Sequence, residues 1–396
     1  MEKWKRIKLK EVLTEVTERN KDEKVKNVLS VTNSQGFVKQ EDYFEGTVHS
    51  QNISNYKIIR KNQFAYNPSR VNVGSIDILK TYDEGALSPM YVVFKVDSSK
   101  LLPEYFMYYF QTHRFDEDVR NNTQGSVRNS LSFKALSDFE YLLPPIEKQK
   151  EIVKVLNKVD LIIQKYEKLL KEKNKFIKSQ FVEMFGNPFF NDKGLEYMKM
   201  PSVCEIIDGD RGKNYPKAED FFDDEYCLFL NAKNVTNTGF SFDNCIFITK
   251  EKDEVLRKGK LQRGDIVLTT RGTVGNLAFY TEDIPFENVR INSGMVILRM
   301  KKSIVNELFF IEQFKIQLEN IKNKITSGSA QSQLPITTMN EIKILIPKIE
   351  LQNRFADLVK LIYKQKNELE SIIENYKKLK KGLMQKLLTG KVDVNV

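Results

Sequence analysis

The sequence has few of the residues that form disulfides and metal sites. It contains three cysteines, Cys204, Cys227 and Cys245, and two histidines, His49 and His113, in 396 residues. The cysteines are too widely spaced for a disulfide framework or a Cys-x-x-Cys zinc site, and neither histidine has a second ligand at metal-binding spacing. We therefore expect no metal site in this chain.

Long apolar runs are also missing. No segment approaches the roughly 20 apolar residues that cross a bilayer, and the segment MEKWKR at 1–6 lacks the apolar stretch of a secretory signal. A soluble, cytoplasmic protein with no membrane partner is the expectation. The chain is 41% hydrophobic and can bury cores, and it is longer than the roughly 250–300 residues at which one core stops growing. Two or more domains are expected.

Catalytic motifs are the third absence. The sequence has no Gly-x-x-x-x-Gly-Lys-[Ser/Thr] phosphate loop and no [Asn/Asp]-Pro-Pro-[Tyr/Phe] loop, the string that an amino-methyltransferase uses to hold a flipped base. The acidic segment 219–225 offers carboxylates for a metal ion, but it is more typical of a solvated loop. We expect catalysis to reside in other chains.

The main positive feature is an internal duplication with a period of about 203 residues. The string LLPPIEKQKEI at 142–152 recurs as LIPKIELQNRF at 345–355. Gly125-Ser126 recurs as Gly328-Ser329, and RVNVG at 70–74 is echoed by RGTVG at 271–275. The halves differ strongly between these anchors, which indicates a shared scaffold with divergent surfaces.

Each half shows the same order of predicted elements. Short β-like runs such as 91–96, 266–270 and 295–300 precede a long helix, which begins after a proline and ends at a glycine. The predicted fold class is α+β, with two similar mixed α/β domains joined by two long helices. We place the domains at 1–143 and 188–346, the helices at 144–187 and 347–390, and a C-terminal tail at 391–396.

Both long helices carry apolar residues at heptad spacing, which indicates a coiled coil. The predicted seam consists of Ile152, Leu156, Val159, Ile163, Tyr166, Leu170, Ile177, Phe355, Val359, Ile362, Leu369, Ile373, Tyr376 and Leu383. Packing of each helix on its own domain is the alternative. Since one domain precedes the first helix and the other follows it, an intramolecular partner helix must run antiparallel. The domains would then lie at opposite ends of a rod of roughly 60 Å, related by a pseudo-twofold axis.

Charge and loop chemistry favour DNA as the partner. The chain has 63 Lys and Arg against 53 Asp and Glu, a net charge of +10, which suits a polyanion. Corresponding loops of both halves carry side chains that suit base edges and phosphates. The candidates are Arg70, Asn72, Gln124, Ser126, Arg128, Asn129, Arg211, Lys213, Asn214, Arg271, Thr273, Asn276, Ser329, Gln331 and Gln333. An ordinary exposed turn explains any single one of them equally well.

Over essentially its whole length the chain resembles the specificity (S) subunit of type I restriction-modification systems. The entry to each long helix, LPPIEKQ at 143–149 and IPKIELQ at 346–352, carries the resemblance together with the preceding Gly-Ser pairs. The resemblance implies that each domain recognises one half of a bipartite target in double-stranded DNA. It also implies that the coiled coil sets the gap between the halves.

The resemblance further implies partner chains. Two modification subunits would supply S-adenosylmethionine and methylate adenine, and restriction subunits with motor and nuclease activity would use ATP and Mg²⁺. This chain would itself be non-catalytic and hold no cofactor. Two alternatives stay open: a duplicated-domain DNA methyltransferase or nuclease with its own active site, and a coiled-coil adaptor that binds only proteins.

Overall fold

The computed structural model describes residues 4–43, 52–123, 130–326 and 333–391. The chain forms two compact units. The first unit comprises Met1–Glu167 and Ser371–Val396, and the second comprises Lys168–Glu370. Both long helices therefore contribute residues to both units.

The first unit is built from ten strands and the helices between them in the described residues. The strands are β1 (Lys5–Lys8), β2 (Leu13–Glu15), β3 (Val28–Thr32), β4 (Gly36–Lys39), β5 (Lys57–Arg60), β6 (Phe64–Tyr66), β7 (Ile76–Ile78), β8 (Glu84–Leu87), β9 (Val92–Val96) and β10 (Glu140–Leu143). The helices are α1 (Gln40–Tyr43), α2 (Pro103–Tyr109), α3 (His113–Thr123), α4 (Phe133–Ser137) and the long α5 (Ile146–Phe185), which continues into the second unit.

The second unit has a similar set of elements. Its strands are β11 (Tyr197–Lys199), β12 (Cys204–Asp208), β13 (Cys227–Leu230), β14 (Val235–Thr236), β15 (Gly239–Phe240), β16 (Phe247–Ile248), β17 (Ile266–Thr269), β18 (Leu277–Phe279), β19 (Val289–Ile291), β20 (Met295–Met300) and β21 (Lys343–Leu345). Its helices are α6 (Met200–Val203), α7 (Lys250–Val255), α8 (Glu307–Thr326), α9 (Ile336–Asn340) and the long α10 (Ile349–Leu387), which returns to the first unit.

The two units share a sheet topology. A four-stranded antiparallel sheet has the order β2-β9-β6-β7 in the first unit and β12-β20-β17-β18 in the second. A mixed sheet lies beside it, β4-β3-β8-β5 or β16-β13-β19, and its only parallel pair is β3 with β8 or β13 with β19 in the described residues. Each unit also has a two-stranded sheet, β1-β10 or β11-β21, and the second unit has a further one, β14-β15. The expectation of two similar α+β domains with long helices is confirmed.

The largest core of each unit lies between the four-stranded sheet and the helices. In the first unit, Phe64 and Phe94 stack across neighbouring strands with ring centroids 5.1 Å apart, and Phe106 of α2 meets Phe64 edge-on at 6.0 Å. Apolar residues of both long helices, including Leu156 of α5 and Leu387 of α10, belong to the same cluster. Burial of this aromatic surface is the main force that fixes the sheet against the long helices.

The recurring Glu-x-Gln string has a structural explanation. Gln149, in the first turn of α5, is fully buried and accepts a hydrogen bond from the Leu102 amide at 2.7 Å. Its side-chain amide donates to the carbonyl oxygens of Lys100 at 2.8 Å and Pro144 at 2.9 Å. The side chain thereby joins the start of α2 to the start of α5.

The second unit repeats this arrangement. Gln352 is fully buried, accepts from the Asn306 amide at 2.9 Å, and donates to Ile304 O at 3.1 Å and Pro347 O at 2.8 Å. The duplicated string is therefore a joint between the domain and its helix.

Segments of α5 and α10 pair antiparallel in each unit. In the first unit, Lys380 bridges to Asp160 at 2.7 Å and Lys377 to Glu167 at 2.8 Å, so residue numbers fall along one helix as they rise along the other. In the second unit, Lys173 donates to Gln365 at 2.6 Å and Lys366 to Asn174 at 2.6 Å, while the ring centroids of Phe181 and Phe355 lie 5.6 Å apart, so residue numbers again fall along one helix as they rise along the other. These four lysines thus have polar partners on the opposite helix.

Candidate nucleic-acid interface

The register of the second unit's four-stranded sheet brings three chain segments to one edge. Asp208, at the end of β12, pairs with Val296 of β20, and Thr269, at the end of β17, pairs with Met295. Because β20 runs antiparallel to both neighbours, the segments after β12 and β17 and the segment before β20 meet there. We call this edge, with the segments 208–215, 270–276 and 292–294, the second-unit edge.

The first unit has the corresponding edge. Glu15, at the end of β2, pairs with Phe94 of β9, and Tyr66, at the end of β6, pairs with Val92. The segment that follows β6, with the 70–74 turn, and the segment that precedes β9 therefore meet as in the second unit. We call this the first-unit edge.

A fourth segment docks on each edge at the same point. In the second unit, the Leu334 amide donates to Thr270 O at 2.9 Å, and in the first unit the Leu131 amide donates to Pro68 O at 3.0 Å. Each of these leucines follows a Gly-Ser segment of the sequence. The candidates Gln124, Ser126, Arg128, Asn129, Ser329 and Gln331 belong to those segments and lie outside the described residues.

Two candidate residues are brought together on the second-unit edge by this docking. Arg271 and Gln333 form an isolated backbone bridge, and both are exposed. The Arg271 amide also donates to Gly294 O at 3.2 Å, which fixes the turn to the segment before β20. An exposed guanidinium and an exposed carboxamide thus lie side by side.

Arg211 joins the same edge from the segment after β12. Its guanidinium donates to Asp208 Oδ1 at 3.1 Å and to Ser293 O at 3.2 Å, while 47% of its side chain stays exposed. Lys213, two residues on, is exposed. Two anchoring contacts leave remaining guanidinium hydrogens available to an anion or a base edge.

A buried carboxylate shapes the segment that presents Arg211. Asp210 is 6% exposed and accepts hydrogen bonds from the amides of Gly212 and Arg257, both at 2.7 Å. Burial acts to raise the pKa of Asp210, but these amides and the Arg257 charge outweigh it and hold that pKa below its ordinary value. Arg257 and Lys258 are exposed beside this segment, and the sequence reasoning missed both. The Asp-x-Gly string at 210–212 is a turn signal that identifies the segment.

A second buried network holds the Arg257 segment in place. Arg290 of β19 is 5% exposed and donates to Lys258 O at 2.8 Å and Leu256 O at 3.1 Å. Its Nε bonds to the carboxylate of Asp253, which Lys260 also contacts. These charges are paired inside the protein and therefore serve the scaffold.

The first-unit edge presents Arg70 and Asn72. Both are exposed, in the turn that follows β6. The Ser75 amide donates to Arg70 O at 3.2 Å, and the Arg70 amide donates to Asn67 O at 3.0 Å, so the turn is closed by its own backbone. Arg70 and Arg271 occupy corresponding positions of the two units, as the repeated string predicts.

Three other candidates differ in how they use their polar atoms. Asn214 is half-buried, and its amide donates to Val255 O at 3.2 Å. Asn276 is half-buried, and its amide donates to Val235 O at 3.0 Å. Thr273 is exposed, and its carbonyl accepts from the Thr269 hydroxyl. The two asparagine amides thus stabilise the loops that carry the exposed arginines.

The seam residues lie inward in both units. Ten of the fourteen are buried, and the other four, Tyr166, Leu170, Tyr376 and Leu383, are half-buried. At the outer parts of the helices they also meet the domains: Ile152 and Leu156 belong to the first unit's core, and Phe355, Val359 and Ile362 to the second's. The stripe therefore packs on a partner helix and on a domain at once.

The cysteine and histidine side chains, which were considered for metal binding, lie in different environments. Burial raises the pKa of the Cys204 and Cys227 thiols to about 12, which keeps them protonated at neutral pH. His113 is exposed at the start of α3, and His49 lies outside the described residues. Within the described ranges, no group of three His, Cys, Asp or Glu side chains is placed to hold a metal ion. None of the helices there is long and apolar enough to span a bilayer.

Sequence comparison matches both halves of the chain to one family. Residues 1–175 and 192–380 each match the family described as type I restriction modification DNA specificity domain. The putative type I restriction enzyme MjaX specificity subunit of Methanocaldococcus jannaschii is 24% identical over 425 residues, which cover 99% of this chain and 94% of that protein. The MjaVIII specificity subunit of the same organism is 25% identical over 346 residues, covering 82% and 77%.

Solved structures resemble the whole chain as well. A chain from a structure of the type I R-M system gives a TM-score of 0.58 at 13% identity and covers 98% of both chains. The type I restriction-modification S subunit from M. genitalium gives 0.52 at 14% identity, covering 97% of this chain and 96% of that one. At these identities the likeness shows the fold, two mixed domains with long helices.

Proposed function

The chain belongs to the family of type I restriction modification DNA specificity domains, and on that premise we propose that it is the sequence-specific DNA-recognition subunit of a type I restriction-modification enzyme. The family resemblance noted in the sequence is confirmed by the match over both halves. Each domain recognises one half of a bipartite target in double-stranded DNA. The chain recognises DNA and leaves catalysis to its partners.

One observation carries the proposal. Both units bring an exposed arginine, Arg70 or Arg271, to the same sheet edge, where the residue after a Gly-Ser segment docks beside it. Arginine is the side chain best suited to guanine edges and phosphates, and loops on a rigid sheet can enter a groove. Two equivalent edges with different side chains suit two half-sites of different sequence.

The long helices serve as the spacer in this proposal. Helix α5 has 40 residues and α10 has 39, so each is about 60 Å long. We assign 1–143 and 188–346 to target recognition, 144–187 and 347–390 to spacing, and 391–396 to a tail. A fixed helix length would define the number of base pairs left between the half-sites.

Partner chains complete the enzyme. Two modification subunits bind S-adenosylmethionine and methylate adenine at the bound target, and restriction subunits use ATP and Mg²⁺ to move along DNA and cleave it. This chain holds no cofactor in the proposal, and it acts in the cytoplasm, where the DNA is. The family match and the names of the relatives support this division of labour.

The test uses the chain assembled with its modification subunits. Selection from a pool of random duplex DNA should yield a motif of two blocks separated by unspecified bases, and footprinting should protect both blocks. Affinity should fall steeply with salt because phosphate contacts release counterions. A motif with one contiguous block, or an affinity that does not change with salt concentration, would contradict the proposal.

Single arginine variants localise the interface. Arg70→Ala and Arg271→Ala should each weaken binding by about 1–3 kcal/mol and relax one block only, a different block for each variant. Lys175→Ala is the charge-matched control, since Lys175 is an exposed residue of α5 paired with Glu172. It should leave both blocks and the affinity unchanged.

A further inference from the structure

A tight turn in the first unit presents three uncharged polar side chains. Asn33, Ser34 and Gln35 connect β3 to β4, and all three are exposed. The turn is closed locally: the Gln35 amide donates to Thr32 Oγ1 at 3.0 Å, and Thr32 Oγ1 donates to Gly36 O at 3.1 Å. Its backbone is therefore fixed while its side chains point outward to solvent.

The turn is also fixed against the neighbouring sheet. Ser75, 3% exposed, donates its hydroxyl to Val31 O at 2.8 Å, and the Phe37 amide donates to Asp77 Oδ2 at 3.3 Å. Gly36 has φ +63°, which favours glycine, and a Cβ added to it would lie 1.9 Å from Asp77 Oδ2, so a larger residue would displace that carboxylate. The hairpin approaches β7 more closely than a side chain would allow.

This packing places the turn beside the first-unit edge. A Cβ added to Gly74 would lie 3.9 Å from both the Cβ and the carbonyl oxygen of Asn33. Gly74 ends the exposed turn that carries Arg70 and Asn72. The two turns therefore lie side by side, with exposed amide side chains on one and an exposed guanidinium on the other.

The second unit has a hairpin in the corresponding place. Strands β14 and β15 are joined by Asn237 and Thr238, both exposed, and Thr236 closes that turn by donating to Gly239 O at 2.9 Å. Asn276, at the end of the Arg271 turn, ties this hairpin to the edge through Val235 O. Both units thus attach an exposed hairpin turn from outside the four-stranded sheet to their arginine turn.

From this juxtaposition we propose that the turn at 33–35 is a specificity-determining element that contacts base edges of one half-site, with Asn33 and Gln35 as the base-contacting side chains. The inference rests on the proposed function and names residues for it. Asn and Gln side chains can bond bidentately to adenine N6 and N7 in the major groove, whereas a charged side chain would bind any phosphate. The partner chemistry is therefore an adenine-containing duplex step.

The experiment compares the motif selected from random duplex DNA by the assembled enzyme with that selected by two variants, Asn33→Ala and Gln35→Ala. In each variant, the preference for the selected base over the other bases should fall by about fivefold to about 150-fold at one or two positions of a single block. That block should be the one that Arg70→Ala relaxes. The remaining positions of that block should be kept, which shows that the first unit is folded, and the other block, recognised by the second unit, should stay unchanged.

A matched control is Asn62→Gly. Asn62 is an exposed asparagine in the turn before β6, at the opposite end of that strand, and its φ of +67° is one that glycine adopts freely. It should leave both blocks intact. If the unchanged enzyme selects two blocks and the two turn variants select the same two blocks at full strength, the turn proposal is overturned. If the unchanged enzyme selects no two-block motif, the proposed function itself fails.

Discussion

Replacing Gln149 with alanine tests whether the duplicated Glu-x-Gln string is a structural joint. The substitution removes three hydrogen bonds, to Leu102 N, Lys100 O and Pro144 O, in a site without solvent access. At about 1 kcal/mol for each bond, we expect the free energy of unfolding to fall by about 3 kcal/mol. Gln352→Ala removes three equivalent bonds and should cost about the same.

The measurement combines urea unfolding with hydrogen exchange read by mass spectrometry. Gln149→Ala should speed amide exchange in α2 and the first turn of α5, and Gln352→Ala should do so in α8 and the first turn of α10. Gln180→Ala is the control, because the Gln180 side chain, among the residues that the structure describes, bonds only to Glu183 on the same helix and should change stability by less than about 0.5 kcal/mol. The joint would be refuted if the free energy of unfolding fell by less than about 1 kcal/mol in both buried variants. It would also be refuted if both variants sped amide exchange in the same segments.

Three further predictions address the scaffold. Arg290→Met should destabilise the second unit by about 3 kcal/mol in urea unfolding, because it leaves the buried Asp253 carboxylate with Lys260 as its one cationic partner in the described residues, beside the Cys227 thiol; an unchanged free energy of unfolding would contradict this. Asp210→Asn should lower the free energy of unfolding at pH 7, and this difference from the unchanged protein should disappear as the pH falls below about 4. The reason is that a carboxyl whose pKa is depressed on folding stabilises the protein above its unfolded pKa and loses that contribution as the pH falls through its folded pKa. Unfolding curves that stay parallel across this pH range would contradict it. Deleting one heptad from each long helix, 167–173 and 367–373, shortens each helix by about 10 Å. The gap between the two selected blocks should then narrow by about three base pairs, with both blocks kept. Loss of the blocks would mean that the helices do more than space the half-sites.

The sequence identified the elements that depend on local patterns. Proline before α5 and α10, glycine after them and heptad spacing along them are signals contained within a few turns of helix. The duplication also needed no structure, because the two copies of the helix entry can be aligned by eye. The buried positions of Gln149 and Gln352 explain why that string persists while the loops differ.

The tertiary structure decided which polar residues act together. Asp208 and Val296 are far apart in sequence and meet only because β12 and β20 pair, and the same holds for Arg271 and Gln333. Asn214 and Asn276 looked like base readers beside exposed arginines, yet the fold turns their amides onto backbone carbonyls. Asn33 and Gln35 belong to no motif, and only the packing of Asn33 against Gly74 places their turn at the first-unit edge. Helix periodicity is set by neighbours along the chain, whereas a sheet edge is assembled by pairing between distant strands, so the sequence determined the scaffold and the fold determined the surface.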